Sequence, residues 1–276
     1  MKRIYILLAG IALTLTSAAQ EDSTKREAQE ADTIQIGNMV IIKEGGSSNE
    51  PMDHERKWRK RQYKPSNVTT SWMLFDIGVN QFRDETNYAQ AISAGYLPAG
   101  ANEDWFNLRN GKSINVNIWI MMQRVNLIKH IVNLKYGVGL ELNNYRYTEN
   151  IKFQETKSPL VAMSTLDYKK NKLAADYVTV PIMLNFNFTP KREHGFGFSA
   201  GVQAGYLYSS RQKTVAEGEG KKKFREDFDL REWKLAYVGE LTLGPVKFYG
   251  TYAMESMFKN TLDQTPYSVG FRWSNW

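Results

Sequence analysis

The stretch VNLKYGVGLELN, residues 132–143, puts Val132, Leu134, Tyr136, Val138, Leu140 and Leu142 on one parity and Asn133, Lys135, Gly137, Gly139 and Glu141 on the other. A period of two with one apolar face is a β-strand buried or lipid-covered on one side only. The polar face carries the second message. A face turned to water favours Lys, Glu and Thr over Gly, whereas a crowded barrel interior needs small residues and charges that pair. This strand therefore predicts an apolar face turned outward and a polar face turned in.

Seven further segments repeat the pattern. SWMLFDIGVN (71–80) sets Met73, Phe75, Ile77 and Val79 against Asp76, Gly78 and Asn80. SINVNIWIMMQ (113–123) sets Ile114, Val116, Ile118, Ile120 and Met122 against Asn115, Asn117, Trp119 and Gln123. DYVTVPIMLNFNF (176–188), GFGFSAGVQAGYLYS (195–209), EWKLAYVGELTL (232–243), PVKFYGTYAM (245–254) and YSVGFRWSNW (267–276) complete the set. The fold class read from them is all-β, an antiparallel up-and-down transmembrane β-barrel of eight strands. The polar face would bring Asp76, Lys135, Glu141, Glu240, Lys247 and Arg272 into the lumen. A soluble barrel or sandwich with the apolar face inward shows the same alternation and is the competing architecture.

The connections decide between them. The gaps alternate long and short, the short ones being RVNLIKH (124–130), TPKREH (189–194) and Gly244–Pro245. Outer-membrane barrels have short periplasmic turns and long outer loops. With the N-terminus periplasmic, Tyr206, Tyr208, Trp233, Tyr252 and Tyr267 collect at the outer rim. Phe186, Phe188, Phe196, Phe198, Phe248 and Trp273 collect at the inner one. Amphipathic rings prefer the two membrane interfaces. Ten strands, with hairpins hidden in the first two long loops, is the variant that would open a channel.

Upstream, MKRIYILLAGIALTLTSAAQ combines Lys2 and Arg3, an apolar run, and Ser17 and Ala19 before Gln20. That is a secretory signal peptide over residues 1–19. Residues 20–70 form a polar and basic periplasmic tail, disordered apart from the short alternating stretch TIQIGNMVIIKE, and residues 71–276 the barrel. The net charge of +7 falls to about +5 when Lys2 and Arg3 are removed. Arg56, Lys57, Arg59, Lys60, Arg61 and Lys64 form a basic run in the tail. In an exported chain its expected contact is phospholipid headgroups, not nucleic acid. The tail is also the expected docking segment for an envelope protein.

YVTVPIMLNFNF followed by GFSAGVQAGYLYS resembles the outer-membrane β-barrel family that includes PorT-like proteins. Val180–Pro181 and the run Gly201 to Gly205 carry the likeness, which spans about residues 71–276. It implies an outer-membrane location in a Gram-negative envelope. Barrels of this kind generally end on an aromatic recognised by the insertion machinery, and Trp276 is similar to that residue, although one step off the usual phase.

Chemistry is sparse. Cys is absent, which excludes disulfides, thiolate metal sites and a cysteine nucleophile. His54, His130 and His194 fall in the tail and in short turns, away from the outer rim where a lipid-acting barrel enzyme would hold its base. No catalytic, cofactor or metal set is expected. EGEGKKKFREDFD (217–229) mixes signs and reads as a solvated, mobile loop. The first long loop, 81–112, carries Tyr88, Tyr96, Trp105 and Phe106. These form either a binding surface or a cover packed over the barrel mouth. The expected role is structural, adhesive or complex-forming, with outer-membrane lipid as the partner.

Overall fold

The computed structural model describes residues 33–36, 39–42, 65–155, 158–192, 195–244 and 246–273. The chain divides into two units, residues 1–59 and 60–276. In the first, β1 (Thr33–Ile36) and β2 (Met39–Ile42) pair antiparallel, with Thr33 opposite Ile42. The signal segment, the basic run from Arg56 to Lys64, and Trp276 lie outside the described residues.

The second unit runs β3 (Val68–Asp84), α1 (Tyr88–Ser93), a 3-10 turn (Glu103–Phe106), β4 (Ile114–Ile128), β5 (Val132–Arg146), β6 (Ile151–Phe153), β7 (Val161–Met163), β8 (Tyr168–Asn187), β9 (Phe196–Ala216), β10 (Gly220–Phe224), β11 (Trp233–Leu243), β12 (Val246–Ala253) and β13 (Gln264–Trp273). Eight of these strands close a ring in the order β3, β4, β5, β8, β9, β11, β12, β13. The last strand returns to the first, from Gln264 opposite Asp84 to Trp273 opposite Phe75. Every ring pairing is antiparallel. Closure satisfies the edge backbone groups, which a lipid environment demands. Hairpins do sit in the loops, but none enters the ring. β6 and β7 pair only with each other, and β10 extends β9 beyond the point where β11 ends.

The wall has its apolar side out. Ile77, Ile182, Leu235, Tyr237, Val269 and Phe271 are all more than half exposed, while Asp76, Asn115, Glu141, Ser199 and Arg272 are buried inside. A soluble barrel would show the reverse, so the soluble architecture is excluded. Aromatic pairs mark both ends of the apolar band. Tyr206 meets Trp233 at 5.0 Å and Tyr252 meets Tyr267 at 6.4 Å at the long-loop end. Phe186 stacks on Phe198 at 5.4 Å and Phe188 on Phe196 at 5.5 Å at the short-turn end.

Three local features depart from simple alternation. Ile120 is a bulge residue in β4, and Met73 opposite it takes φ +53°, so both strands exchange faces there. Met122, expected on the apolar outside, is fully buried in the lumen, and Gln123 moves out to accept from the Tyr136 hydroxyl. Pro181 sits inside β8, where it has no N–H to give. The β5–β8 ladder is accordingly unpaired between Gly139–Thr179 and Tyr136–Ile182. The β4–β5 turn places Lys129 and His130 at φ +48° and +58°, the geometry of a primed hairpin turn, with Asn126 Oδ1 accepting from the His130 N–H at 2.7 Å.

Candidate functional site

Two constructions are candidates for function: the packed lumen and the crown of long loops above it.

The lumen holds all six charges expected there, each no more than 3% exposed. Toward the short-turn end, Arg272 Nε and Nη2 donate to the two oxygens of Asp76 at 2.6 and 2.8 Å, and its Nη1 donates to Glu240. Lys135 donates to the other Glu240 oxygen. Asp76 also accepts from Trp119 Nε1 at 2.7 Å and Asn117 at 3.3 Å, and the guanidinium lies 5.1 Å from the Trp119 ring. One network thus ties β3, β4, β5, β11 and β13 across the barrel. A second layer stands nearer the long loops. Glu141 accepts from Lys234, from Gln203 at 2.8 Å and from Asn143 at 3.1 Å. Asn115 donates to Asn143 at 2.9 Å and accepts from Tyr249 Oη at 2.5 Å. Buried carboxylates hold their charge in such surroundings only because each is paired and hydrogen-bonded.

Glycine makes room for the large lumen rings. A Cβ on Gly78 would lie 2.4 Å from the Val269 carbonyl oxygen and 2.6 Å from Tyr249 Oη. On Gly139 it would lie 2.8 Å from the Trp119 ring. Tyr249 was not singled out from sequence, yet its shared parity with Lys247 and Thr251 points it inward. At the short-turn mouth lies a recess of about 50 Å³ lined by Arg124, His130, Asn133, Lys135, Asn185 and Lys247. That is space for a few waters.

The crown gathers all four long connections on one aromatic chain. Phe106 meets Tyr147 edge-on at 6.3 Å, Tyr147 meets Phe153 at 6.0 Å, and Phe153 meets Phe228 at 5.5 Å and Phe258 at 6.4 Å. Gln212 and Asn171 fix the β6 backbone beneath: Gln212 Oε1 accepts from Phe153 N at 3.0 Å, and Asn171 donates to Ile151 O at 2.7 Å. Asp229 caps the last loop, accepting from the Asn260 and Thr261 N–H groups at 2.9 and 3.1 Å. The segment 217–229, read as a mobile loop, is therefore built in. Lys221 to Phe224 pair with β9, and Phe228 and Asp229 are buried. Apart from Asp229 its charges are largely exposed, and they hid the Phe224 and Phe228 anchors in the composition.

Of the loop aromatics expected as a binding surface, Phe106 is buried in the crown and Tyr88 and Trp105 pack partly against it. Tyr96 is half-buried. Tyr88 donates to Asp84 at 2.7 Å, and burial followed by that carboxylate pushes its phenol well above the usual tyrosine range. Among the described residues no cluster of three or more His, Asp or Glu is placed to hold a metal ion, and no helix is long and apolar enough to cross a membrane. The strands do the crossing.

A closed eight-stranded ring with an apolar outer band, two aromatic girdles and a charged interior is the architecture of an outer-membrane barrel, and residues 75–259 match the family model described as outer membrane protein beta-barrel domain. The chain belongs to this outer-membrane barrel family. Comparison with curated proteins finds no match. For an outer-membrane barrel the exposed wall is lipid-facing, so Phe75, Ile77, Val180, Ile182 and Phe271 contact acyl chains.

Proposed function

We propose that this barrel is a closed, non-enzymatic membrane mount that holds its loop crown at the cell surface, with the N-terminal unit and short turns in the periplasm. The observation that carries the reading is the cross-lumen network of Lys135, Glu240, Arg272 and Asp76. It fills the section through which a solute would pass, and an eight-stranded barrel has room for little else. The crown supports a binding or adhesive role, because its loops share one core and present a fixed surface. Residues 1–19 act as the export signal in this reading. The basic run from Arg56 to Lys64 meets anionic headgroups, and the tail offers an envelope protein its contact. Trp276 serves the insertion machinery. The finer placing among PorT-like proteins stands on Val180–Pro181 and Gly201 to Gly205 alone.

Two measurements test this. Membrane fractions run with and without boiling should place the chain in the outer membrane and give a mobility shift. Purified protein in planar bilayers should give no conductance steps. Stable single-channel openings would overturn the closed-mount reading.

A further inference from the structure

β8 and β9 are 20 and 21 residues long, about twice what a spanning strand needs. Their upper parts stand clear of the apolar band. A row near the top of that band joins Val178, Tyr206 and Trp233, with Tyr208 exposed one step higher at the β9 bulge. Six residues further along β8 is Lys172. At about 3.3 Å per residue on a strand tilted some 40°, that is roughly 15 Å above the Val178–Tyr206 row.

Here the register lines up one sign of charge. Arg146 on β5 is opposite Lys172 on β8, Lys172 is opposite Lys213 on β9, and Lys213 is opposite Lys223 on β10. Cross-strand partners share a face, so these four cations form one row across four strands. Val215 two positions along β9 is flanked by Lys170 and Lys221, and Arg211 follows on the other side. The face is the outward one, because the alternating residues Asn171, Leu173 and Gln212 are buried against the crown. On this face Asp176 pairs with Arg211, while Glu217 and Glu219, in the turn between β9 and β10, pair with Lys169 and Lys222 and not with the row itself. Arg146 Nε is buried and has no acceptor among the described residues, and Lys172 spends its ammonium on the neutral Asn144 amide.

Like charges placed directly opposite destabilise a sheet. A row of four is retained where an outside anion neutralises it. Its position selects the anion. Above an aromatic girdle, on the lipid side of the wall, a ligand must be tethered at the membrane yet carry phosphate or carboxylate groups well above the acyl boundary. A simple phospholipid places its phosphate within the thin headgroup layer, too low for Lys213 and Lys223. A large phosphorylated saccharide head reaches them.

We propose that the outward face of β5, β8, β9 and β10, centred on Arg146, Lys172, Lys213 and Lys223, is a binding site for the phosphorylated head of an outer-leaflet glycolipid. The glycolipid source rests on the crown facing outward; the anion site itself does not.

The test uses the full folded chain in neutral detergent micelles and, as probe, a short-chain lipopolysaccharide whose core sugars carry phosphate, with its core-dephosphorylated form, phosphatidylglycerol and inorganic phosphate as comparisons. The core-phosphorylated lipopolysaccharide should bind at least tenfold tighter than the others at low salt and weaken at 0.5 M salt. The triple variant Lys172→Gln, Lys213→Gln, Lys223→Gln should lose at least tenfold of that affinity. Because it removes repulsion, it should keep the heat-dependent gel shift of the wild type. Equal binding of the dephosphorylated form, equal effect of inorganic phosphate or phosphatidylglycerol, or a triple variant that binds as the wild type does, each overturns the site. Orientation is read separately by labelling Glu219→Cys with a membrane-impermeant maleimide. Labelling of intact cells supports the outer-leaflet source. Labelling only after lysis removes that source even if the micelle binding stands.

Discussion

Arg272→Met is the sharpest probe of the lumen. The wild-type guanidinium makes two bonds to Asp76, at 2.6 and 2.8 Å, and one to Glu240, all fully buried. Methionine fills most of the volume, so the cost is electrostatic. Asp76 keeps Trp119 and Asn117 as donors and Glu240 keeps Lys135, which limits the damage to one uncompensated buried negative charge. Removing one member of a buried pair costs about 3–5 kcal/mol. Adding Asp76→Asn to the methionine variant removes that stranded charge. The double variant should therefore lose less than the sum of the two single losses, with a coupling of about 2 kcal/mol, inside the range measured for networked neighbours. Urea unfolding of barrels refolded into lipid vesicles, followed by tryptophan fluorescence and by the gel shift, gives these energies. A loss under about 1 kcal/mol for Arg272→Met, or strict additivity in the double variant, would show that the network is not what holds the lumen together.

Other consequences follow from single contacts. Gly78→Val forces a side chain against the Val269 carbonyl and Tyr249 hydroxyl; it should cost about 1–3 kcal/mol in the same unfolding assay. Phe153→Ala removes the hub of the crown, a fully buried ring touching Tyr147, Phe228 and Phe258. Substitutions of this kind cost about 3–5 kcal/mol, and here the loss should fall on the loops. Limited proteolysis should cut near residues 217–229 while the gel shift persists. Asp229→Ala strips the acceptor for Asn260 and Thr261 N–H, and should open the 254–263 loop to hydrogen exchange by about 1–3 kcal/mol.

The ring was legible because a lipid-facing wall imposes strict alternation, and the segments with the cleanest alternation, such as 132–143 and 196–206, fall within strands of the barrel. The ends of the strands were not. DYVTVPIMLNFNF begins at Asp176, yet β8 begins at Tyr168. Above the membrane no lipid enforces an apolar outer face, and YKKNKLAA is mixed on both parities, with Tyr168, Lys170, Lys172 and Ala174 on one and Lys169, Asn171, Leu173 and Ala175 on the other, so its faces are told apart only by Leu173 packing into the crown. The exchange of faces at Met73 and Ile120 was equally hidden. In WIMMQ three apolar residues run together, so either parity fits, and the bulge is decided by how Trp119 and Met122 fill the space left by Gly137 and Gly139. The lumen charges were readable from parity alone. The partners they choose were not, because Lys135 meets Glu240 across the barrel and not along it.

The two halves of β8 and β9 explain why binding belongs on the side of this protein and not down its axis. Below Tyr177 the outward residues are Val178, Val180, Ile182 and Leu184; above it they are Asp176, Ala174, Lys172 and Lys170. The inward residues change in the opposite sense, from Asn185 and Thr179 below to Leu173 above, where the crown begins. A strand that inverts its polarity at one level marks the membrane boundary at that level, since each solvent dictates its own face. The inversion also makes the crown core continuous with the barrel strands, so the loops are mounted on rigid elements. With the lumen filled by paired charges and the mouth filled by Phe153 and its neighbours, a concentration of unmatched charge among the described residues is the cation row. It lies where a lipid head would reach it and where a soluble protein approaching from above would meet the crown first.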